Sequence, residues 1–451
     1  MKKITIIGGG ASGTLLALNI LKLGSEVPVT LNLVERSSRL GRGVAFGTEN
    51  ELHLLNVPAG RMGAFADDVG HFHAWLQERG LPYGPDYFVP RVLFGEYLRS
   101  IFATQITDGT NGVQLNLIDD EAIGLSPNSA SADIILRSGE VLPSDKVVLA
   151  FGNFDPPHPN VPDLGFTAAP KYFRSPWDRT ITEKISPDDS VLIIGTGLSM
   201  VDVVIQLTAR GQRGRIYAIS TRGLLPARHK LGYTYPSFYD EISGRARITD
   251  ILKTVRRHIR NAHATGSNWR AVIDSLRPHT QQIWMDLPTN EKRYFMQHLS
   301  RYWNVARHRM PAEVGDVLDE LQKYGKLAVL KGRLKDITYT DGVFDTEFSV
   351  IGEQGNIRTN AIVNCIGSEC DYSKLDSGLV RDMLDKGVVC RDELRLGLNA
   401  TPDGRLIDCK SEPSDIIYTL GTAMKGILWE STAIPEIRGQ AHALAHRLVR
   451  E

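Results

Sequence analysis

Short, almost wholly apolar runs that end in glycine recur along this chain, and most are followed by apolar residues at helical spacing. The first run, Ile4, Ile6 and Ile7, meets Gly8, Gly10 and Gly13; helical spacing then carries to Leu23, and a further run over residues 29–34 ends at Glu35. Continuous apolar runs this short read as strands buried on both faces, so the segment predicts strand, glycine turn, helix, strand. The glycine-rich stretch over residues 36–68 is too apolar for disorder and reads as a loop wrapped around something buried. Helices are predicted over residues 71–79 and 89–104, the second carrying Leu93, Tyr97, Leu98, Ile101 and Phe102 at helical spacing. β-type runs follow at 113–117, 133–137 and 146–151, the last meeting Gly152.

Residues 153–176 hold Pro156, Pro157, Pro159, Pro162, Pro170 and Pro176, a stiff extended connection and the best domain boundary in the chain. The pattern then restarts. Residues 190–207, SVLIIGTGLSMVDVVIQL, are again strand, glycine turn and helix, with Gly195 and Gly197 in place and Met200 where the first copy has Gly13. A β-rich stretch over residues 326–367 ends in AIVNCIG, matching KVVLAFG before Gly152. This internal duplication predicts an α/β fold with two Rossmann-like dinucleotide-binding domains, residues 1–165 with 366–451 and residues 185–365. The second contains a mostly helical insert at about 240–325, dense in His, Arg, Trp and Tyr. It reads as a lid or substrate wall, residues 294–311 above all, or as a docking element whose arginines pair with Asp286, Glu291, Glu313 and Asp316. Near the C-terminus a β-type run ends at Gly421-Thr422, and a helix is predicted from about Thr432.

Composition narrows this picture. At 451 residues the chain is too long for one core, and Lys plus Arg equals Asp plus Glu at 52 each, which removes any electrostatic case for nucleic acid or anionic membrane. Cys365, Cys370, Cys390 and Cys409 form no C-x-x-C pair and lie far from the first motif, fitting a reduced cytoplasm and no redox-active disulfide there. Lys2-Lys3 before an apolar run imitates a secretory signal, but Gly8–Gly10 interrupt it, and no apolar segment is long enough to span a bilayer. His71 and His73 alone are a weak metal signal, and the expectation is no metal.

The glycine spacing carries the chemistry. In G-x-G-x-x-G the first glycine makes the tight turn, the second admits a pyrophosphate and the third lets helix pack on strand, while the helix N-terminus offers free N–H groups to phosphate. Glu35 stands where a carboxylate accepts hydrogen bonds from an adenosine ribose. The second copy has Thr221-Arg222 in place of an acid; Arg222 offers a forked cation to a ribose 2′-phosphate, favouring NADPH, with Arg228, His229 and Lys230 near in sequence. The plain alternative for these cations is solvated surface charge.

These pieces together resemble the FAD/NAD(P)-binding flavoproteins related to class B flavin-dependent monooxygenases, whose architecture is the glutathione-reductase-like pair of dinucleotide domains. GGGASGT with Glu35 is similar to the FAD fingerprint, NVPAGRMGAFAD (residues 56–67) to the segment beside the flavin ring, and FGNFDPP to the crossover. IGTGLSMVD is similar to the NADP fingerprint and ISTRGLLP to its phosphate turn. The resemblance implies FAD contacts at Gly8, Gly10, Ala11, Ser12, Gly13, Glu35, Arg36, Arg42, Val44, Met62, Gly152, Gly421 and Thr432, and NADPH contacts at Gly195, Gly197, Ser199 and Arg222. It places Asn56 by the reactive edge of the flavin as the catalytic residue; the bland reading is a turn residue before Val57-Pro58. There are departures: Phe173 stands four residues before Trp177 where Baeyer–Villiger enzymes have histidine, disfavouring ketone-to-ester chemistry, and Gly421-Thr422 replaces a glycine-aspartate pair.

The expectation is an FAD-dependent, NADPH-consuming monooxygenase that hydroxylates a small organic substrate with O2 through a C4a-hydroperoxyflavin. A reductase passing electrons to a small acceptor or protein, and a non-catalytic flavin-binding redox sensor, remain open alternatives, as does a homo-oligomer.

Overall fold

The computed structural model describes residues 1–37, 40–107, 111–350 and 352–450. Its chain opens with β1 (Lys2–Ile7), α1 (Ala11–Leu23) and β2 (Val29–Val34), then α2 (His71–Glu78), α3 (Arg91–Thr107) and β3 (Val113–Ile118). An antiparallel meander of β4 (Ala122–Pro127), β5 (Ala132–Leu136) and β6 (Val141–Ser144) leads into β7 (Lys146–Leu149). After the proline-rich stretch come β8 (Tyr172–Phe173), α4 (Ile181–Lys184), β9 (Val191–Ile194), α5 (Leu198–Ala209) and β10 (Ile216–Ser220). The insert supplies α6 (Ile248–Ala264), α7 (Trp269–Ser275), α8 (Thr280–Asp286), α9 (Thr289–His298) and α10 (Ser300–Arg307), followed by α11 (Ala312–Lys323). A second meander, β12 (Arg333–Thr340), β13 (Val343–Val350) and β14 (Glu353–Thr359), lies between β11 (Leu327–Lys331) and β15 (Ala361–Asn364). The chain ends with α12 (Gly378–Asp385), β16 (Arg405–Ile407), β17 (Pro413–Thr419), α13 (Lys425–Leu428) and α14 (Ile434–Arg450).

Two parallel sheets result. The first runs β16-β17-β7-β1-β2-β3, with only β16 antiparallel, and the second runs β11-β10-β9-β15-β8. Ile4 faces Leu31 across the register and Ile6 faces Leu33, all four side chains fully buried. That is why these strands are apolar on both faces: α1, α3 and α14 cover one side of the sheet, and the β4–β6 meander with α12 covers the other. β9 is buried throughout for the same reason. The duplication is visible as two strand–turn–helix units, each followed by a three-stranded meander beside its sheet.

Two details differ from the sequence pattern. The proline-rich stretch is more than a connection, because Tyr172 and Phe173 pair with Ile362 and Val363 and add an edge strand to the second sheet. α14 starts at Ile434 rather than Thr432. The insert docks on the segment before α14: Trp284 stacks on Trp429 at 4.9 Å and donates from Nε1 to the Gly426 carbonyl at 2.9 Å. No helix among the described residues is long and apolar enough to cross a membrane.

Candidate cofactor and active site

A cleft opens where β1 hands over to α1. Gly10 caps the helix with extended backbone and no side-chain hydrogen bond, leaving the first N–H groups of α1 available to an anion. Gly10, Ala11 and Ser12 line the cleft from this side, Arg42 and Val44 from the loop after β2, Asn56 and Met62 from the next loop, and Gly152 and Thr432 from opposite. Gly8 and Gly13 lie beneath it: a Cβ at Gly13 would stand 1.9 Å from the Gly8 carbonyl oxygen, so only glycine lets the helix seat this closely on the strand. Glu35 sits at the turn, accepting from the Gly9 N–H at 2.7 Å and the Ser37 N–H at 3.0 Å, with lone pairs left for ribose hydroxyls. Arg36 points outward to Glu121 at 3.2 Å.

The cleft fits a flavin dinucleotide by an unmet polar group as well as its shape. Arg42 Nε, in the lining, is buried without a hydrogen-bond partner, an arrangement that a protein tolerates where a ligand completes it. A Cβ at Gly152 would meet nothing within 4 Å, so the backbone stands open to a ligand there. The walls are braced. Arg438, buried on α14, donates to the carbonyls of Arg61 at 3.2 Å and Gly63 at 2.9 Å, and the Tyr97 hydroxyl accepts from the Ala64 N–H at 2.9 Å, fixing the loop that carries Met62. Thr422 donates to the carbonyls of Phe151 at 2.8 Å and Gly152 at 3.0 Å, which is the work done by the residue where an aspartate was expected. Gly421 packs against Ser12, where a Cβ would come within 2.9 Å of the hydroxyl oxygen.

The second crevice, about 690 Å³, lies at the ends of β9, β10 and β15 and is lined by Gly195, Gly197, Ser199 and Arg222. Thr196 shapes its rim, donating to the Leu224 carbonyl at 2.6 Å and pairing with the Ser220 hydroxyl at 2.9 Å. An adjoining hollow gathers Arg222, Arg301, Lys331 and Arg333, and among the described residues none of the four is paired with a carboxylate. Unneutralised cations from three separate segments suit a phosphate dianion. α10 turns one face to this crevice, with Arg301, Asn304, Val305 and His308 at helical spacing.

A polar seam joins the two crevices. His229 Nε2 lies 3.1 Å from the backbone oxygen of Asn56, with its ring 4.6 Å from that of Phe88. Burial, helped by the Arg309 cation, pushes the His229 pKa down to about 4. Arg91, which also lines the first cleft, is ion-paired to Asp202 of α5 at 2.8 Å and donates to the Leu54 carbonyl at 3.0 Å. On the insert side Arg307 reaches Glu430 at 3.4 Å, Trp303 Nε1 donates to Glu430 at 2.9 Å, and Arg277 binds Glu436 at 2.9 Å. Burial also lowers the pKa of His308 and of His53.

The neighbours of Arg222 in sequence are not its neighbours in space. Arg228 is ion-paired with Asp316 at 2.7 Å and with Asp319, and His229 belongs to the seam, while Arg301, Lys331 and Arg333 share the hollow with Arg222 instead. Those three escaped the sequence reading because they arrive from α10 and from the β11–β12 junction, and only the expected strand–glycine–strand repeat could have pointed to the latter. Asp316, expected to pair with an insert arginine, pairs with Arg228. His71 shares a hydrogen bond of 2.8 Å with the Tyr97 hydroxyl, and among the described residues no group of three or more His, Cys, Asp or Glu could hold a metal ion.

Residues 5–154 match a family model described as FAD-NAD(P)-binding. An L-aspartate N-monooxygenase (nitrosuccinate-forming) from Streptomyces davaonensis is 26% identical over 244 residues, which is 41% of this chain and 37% of the relative; the match thus spans little more than a third of that protein. Among solved structures, an ornithine N-hydroxylase from Kutzneria sp. 744 superposes with a TM-score of 0.68 at 14% identity, covering 99% of this chain and 98% of the other. An L-lysine 6-monooxygenase from Pseudomonas syringae gives 0.66 at 14% identity, covering 100% and 99%. The fold is therefore that of flavoproteins with two dinucleotide-binding domains.

Proposed function

We propose that this chain is an FAD-dependent, NADPH-consuming monooxygenase that hydroxylates a small amine at nitrogen, using O2 and working in a reducing compartment. Residues 1–165 with 366–451 hold the FAD, and residues 185–365 hold the NADPH. The observation that carries the reading is the pair of glycine-turn crevices, one with Glu35 at its turn and the other with Arg222 and three further unneutralised cations, while His229 ties the loop after β10 to the backbone of Asn56. The partial likeness to the aspartate N-monooxygenase supports the choice of nitrogen. Bound FAD, reduced by NADPH, supplies the oxygen-activating chemistry. The protein's part is to seat the pyrophosphate on the N-terminus of α1 with Arg42, and to hold the Asn56 amide at the ring edge by anchoring its backbone to His229. A neutral amide there both donates and accepts without delivering a proton early.

The test is amine-dependent consumption of NADPH and oxygen by the purified, yellow protein, with hydroxylamine or a more oxidised nitrogen product recovered. A colourless protein that takes up no FAD overturns the reading. So does a flavoprotein that oxidises NADPH only when a quinone, dye or disulfide acceptor is supplied, which is the behaviour of a reductase.

A further inference from the structure

The five helices of the insert do not close on one another. α6, α7, α8, α9 and α10 surround a cavity of about 340 Å³ whose walls are Ile251, Val255, Ile283, Trp284, Phe295 and Trp303, with further apolar neighbours and Trp429 at the inner end. The hollow is partly open to solvent, and since a water-sized group fills about 30 Å³ of liquid, it has room for about ten methylene-sized groups. Water is a poor occupant. The one buried hydroxyl in the lining, Thr280, already donates to the Leu276 carbonyl at 3.0 Å. The cavity is separate from both crevices: Trp303 presents a ring face to it while its Nε1 is fixed on Glu430 of the seam.

The lining is chemically uneven in one respect. Arg256 is the only charged residue in it, is exposed, and among the described residues has no carboxylate partner. It follows Val255 on α6, whose cavity face is Ile248, Ile251, Leu252, Val255 and Ile259, so its guanidinium stands at the edge of that apolar face. Tyr302, half-exposed, also reaches the lining. Lys253, on the same helix, is neutralised by Asp250 at 3.1 Å, which leaves Arg256 as the cation at this edge.

We infer that the insert binds a medium-chain aliphatic carboxylate, its alkyl chain in the cavity between α6 and α8 to α10 and its head group on Arg256. An apolar chain of this length gains from leaving water in proportion to its buried methylenes, and the guanidinium supplies a forked partner for the carboxylate. The site is independent of the oxidative reading, since it uses no residue of either crevice.

Isothermal titration and the fluorescence of Trp284, Trp303 and Trp429 in the full-length FAD-loaded protein test it with hexanoate, octanoate and decanoate. Affinity is expected to rise about fourfold per added methylene until the cavity is full. Decanol and decyltrimethylammonium are expected to bind at least tenfold more weakly than decanoate. Leu252→Trp, which fills the space, should abolish binding while FAD content is unchanged. Arg256→Glu, a surface change that leaves the core alone, should bring decanoate down to the level of decanol or below. The inference is overturned if decanoate does not bind, if it binds no better than decanol, or if Arg256→Glu leaves its affinity intact. It is also overturned if the folded protein self-associates through this face and decanoate leaves that equilibrium unmoved, since a second copy is then the occupant.

Discussion

The two strand–glycine–helix units differ in one layer and agree in another. In both, the first glycine is pressed against the end of a neighbouring strand: a Cβ at Gly8 would lie 2.6 Å from the Ala150 oxygen, and at Gly195 2.3 Å from the Cys365 oxygen, and both glycines have φ above 100°. The pinch between strands is therefore common to the two crevices. The seating of the helix is not. Gly13 lets α1 drop onto the Gly8 carbonyl, whereas its counterpart Met200 carries a fully buried side chain into the core of the second unit. Charge diverges too, from Glu35 in the first copy to Arg222 with Arg301, Lys331 and Arg333 in the second. Duplication preserved what closes the sheet and released what meets the ligand.

The sharpest way to break that comparison is to put one methyl group into each unit. Gly13→Ala forces a Cβ into the Gly8 carbonyl and should cost about 3 kcal/mol or more, with loss of retained FAD, read by denaturant unfolding and visible absorbance. Gly197→Ala meets nothing within 4 Å and has a negative φ, so the protein should fold with full FAD content and show only weaker NADPH binding. Equal damage from both changes would mean that the turn at Gly197, the counterpart of Gly10, is as crowded as the seat of the first helix at Gly13.

A smaller effect separates the charges. Arg222→Ala removes one member of a four-cation cluster and should lower kcat/KM for NADPH by about tenfold to a hundredfold while sparing NADH. Unchanged coenzyme preference would reassign the hollow. Asn56 has no counterpart in the second unit, and Asn56→Ala should leave FAD bound and reducible while a larger share of NADPH oxidation ends as hydrogen peroxide. Unaltered coupling would remove Asn56 from the reaction.

What could be read from the chain follows from how local each feature is. The two glycine turns and their strands were legible because a few consecutive residues set the backbone, and Gly10, Arg42, Asn56, Met62 and Thr432 do meet in a single cleft. The cation hollow was legible only at Arg222, because Arg301 and Arg333 are brought in by tertiary packing from distant parts of the chain. Proximity in sequence misled at Arg228, whose partners Asp316 and Asp319 come from α11. The insert was recognisable as helical but its cavity was not, since amphipathic spacing on α6 does not distinguish a helix that meets its neighbours from one that leaves room. Thr422 shows the same limit at one residue: an unexpected side chain bracing Gly152 from the turn after β17, 270 residues away.

The seam, more than either crevice, holds buried histidines, and acid is expected to act on it. His229, His53 and His308 all have pKa values lowered by burial, so each stays neutral in the folded chain at a pH where the unfolded chain takes up its proton. For His229 the folded value is about 4 against an ordinary 6.5, which makes the unfolded state the greater proton binder between those limits. Stability from this residue is therefore complete above pH 6.5 and declines as pH falls toward 4, by at most about 1.4 kcal/mol per unit. Its acidic neighbour Asp274 pulls the other way, but Arg309 and Arg307 outweigh it. His229→Gln keeps a hydrogen-bond donor for the Asn56 carbonyl and removes the titration. Urea unfolding of the two proteins at pH 7 and pH 5 should show the variant losing less stability than the parent over that interval. If both lose the same amount, His229 is not held neutral by the fold.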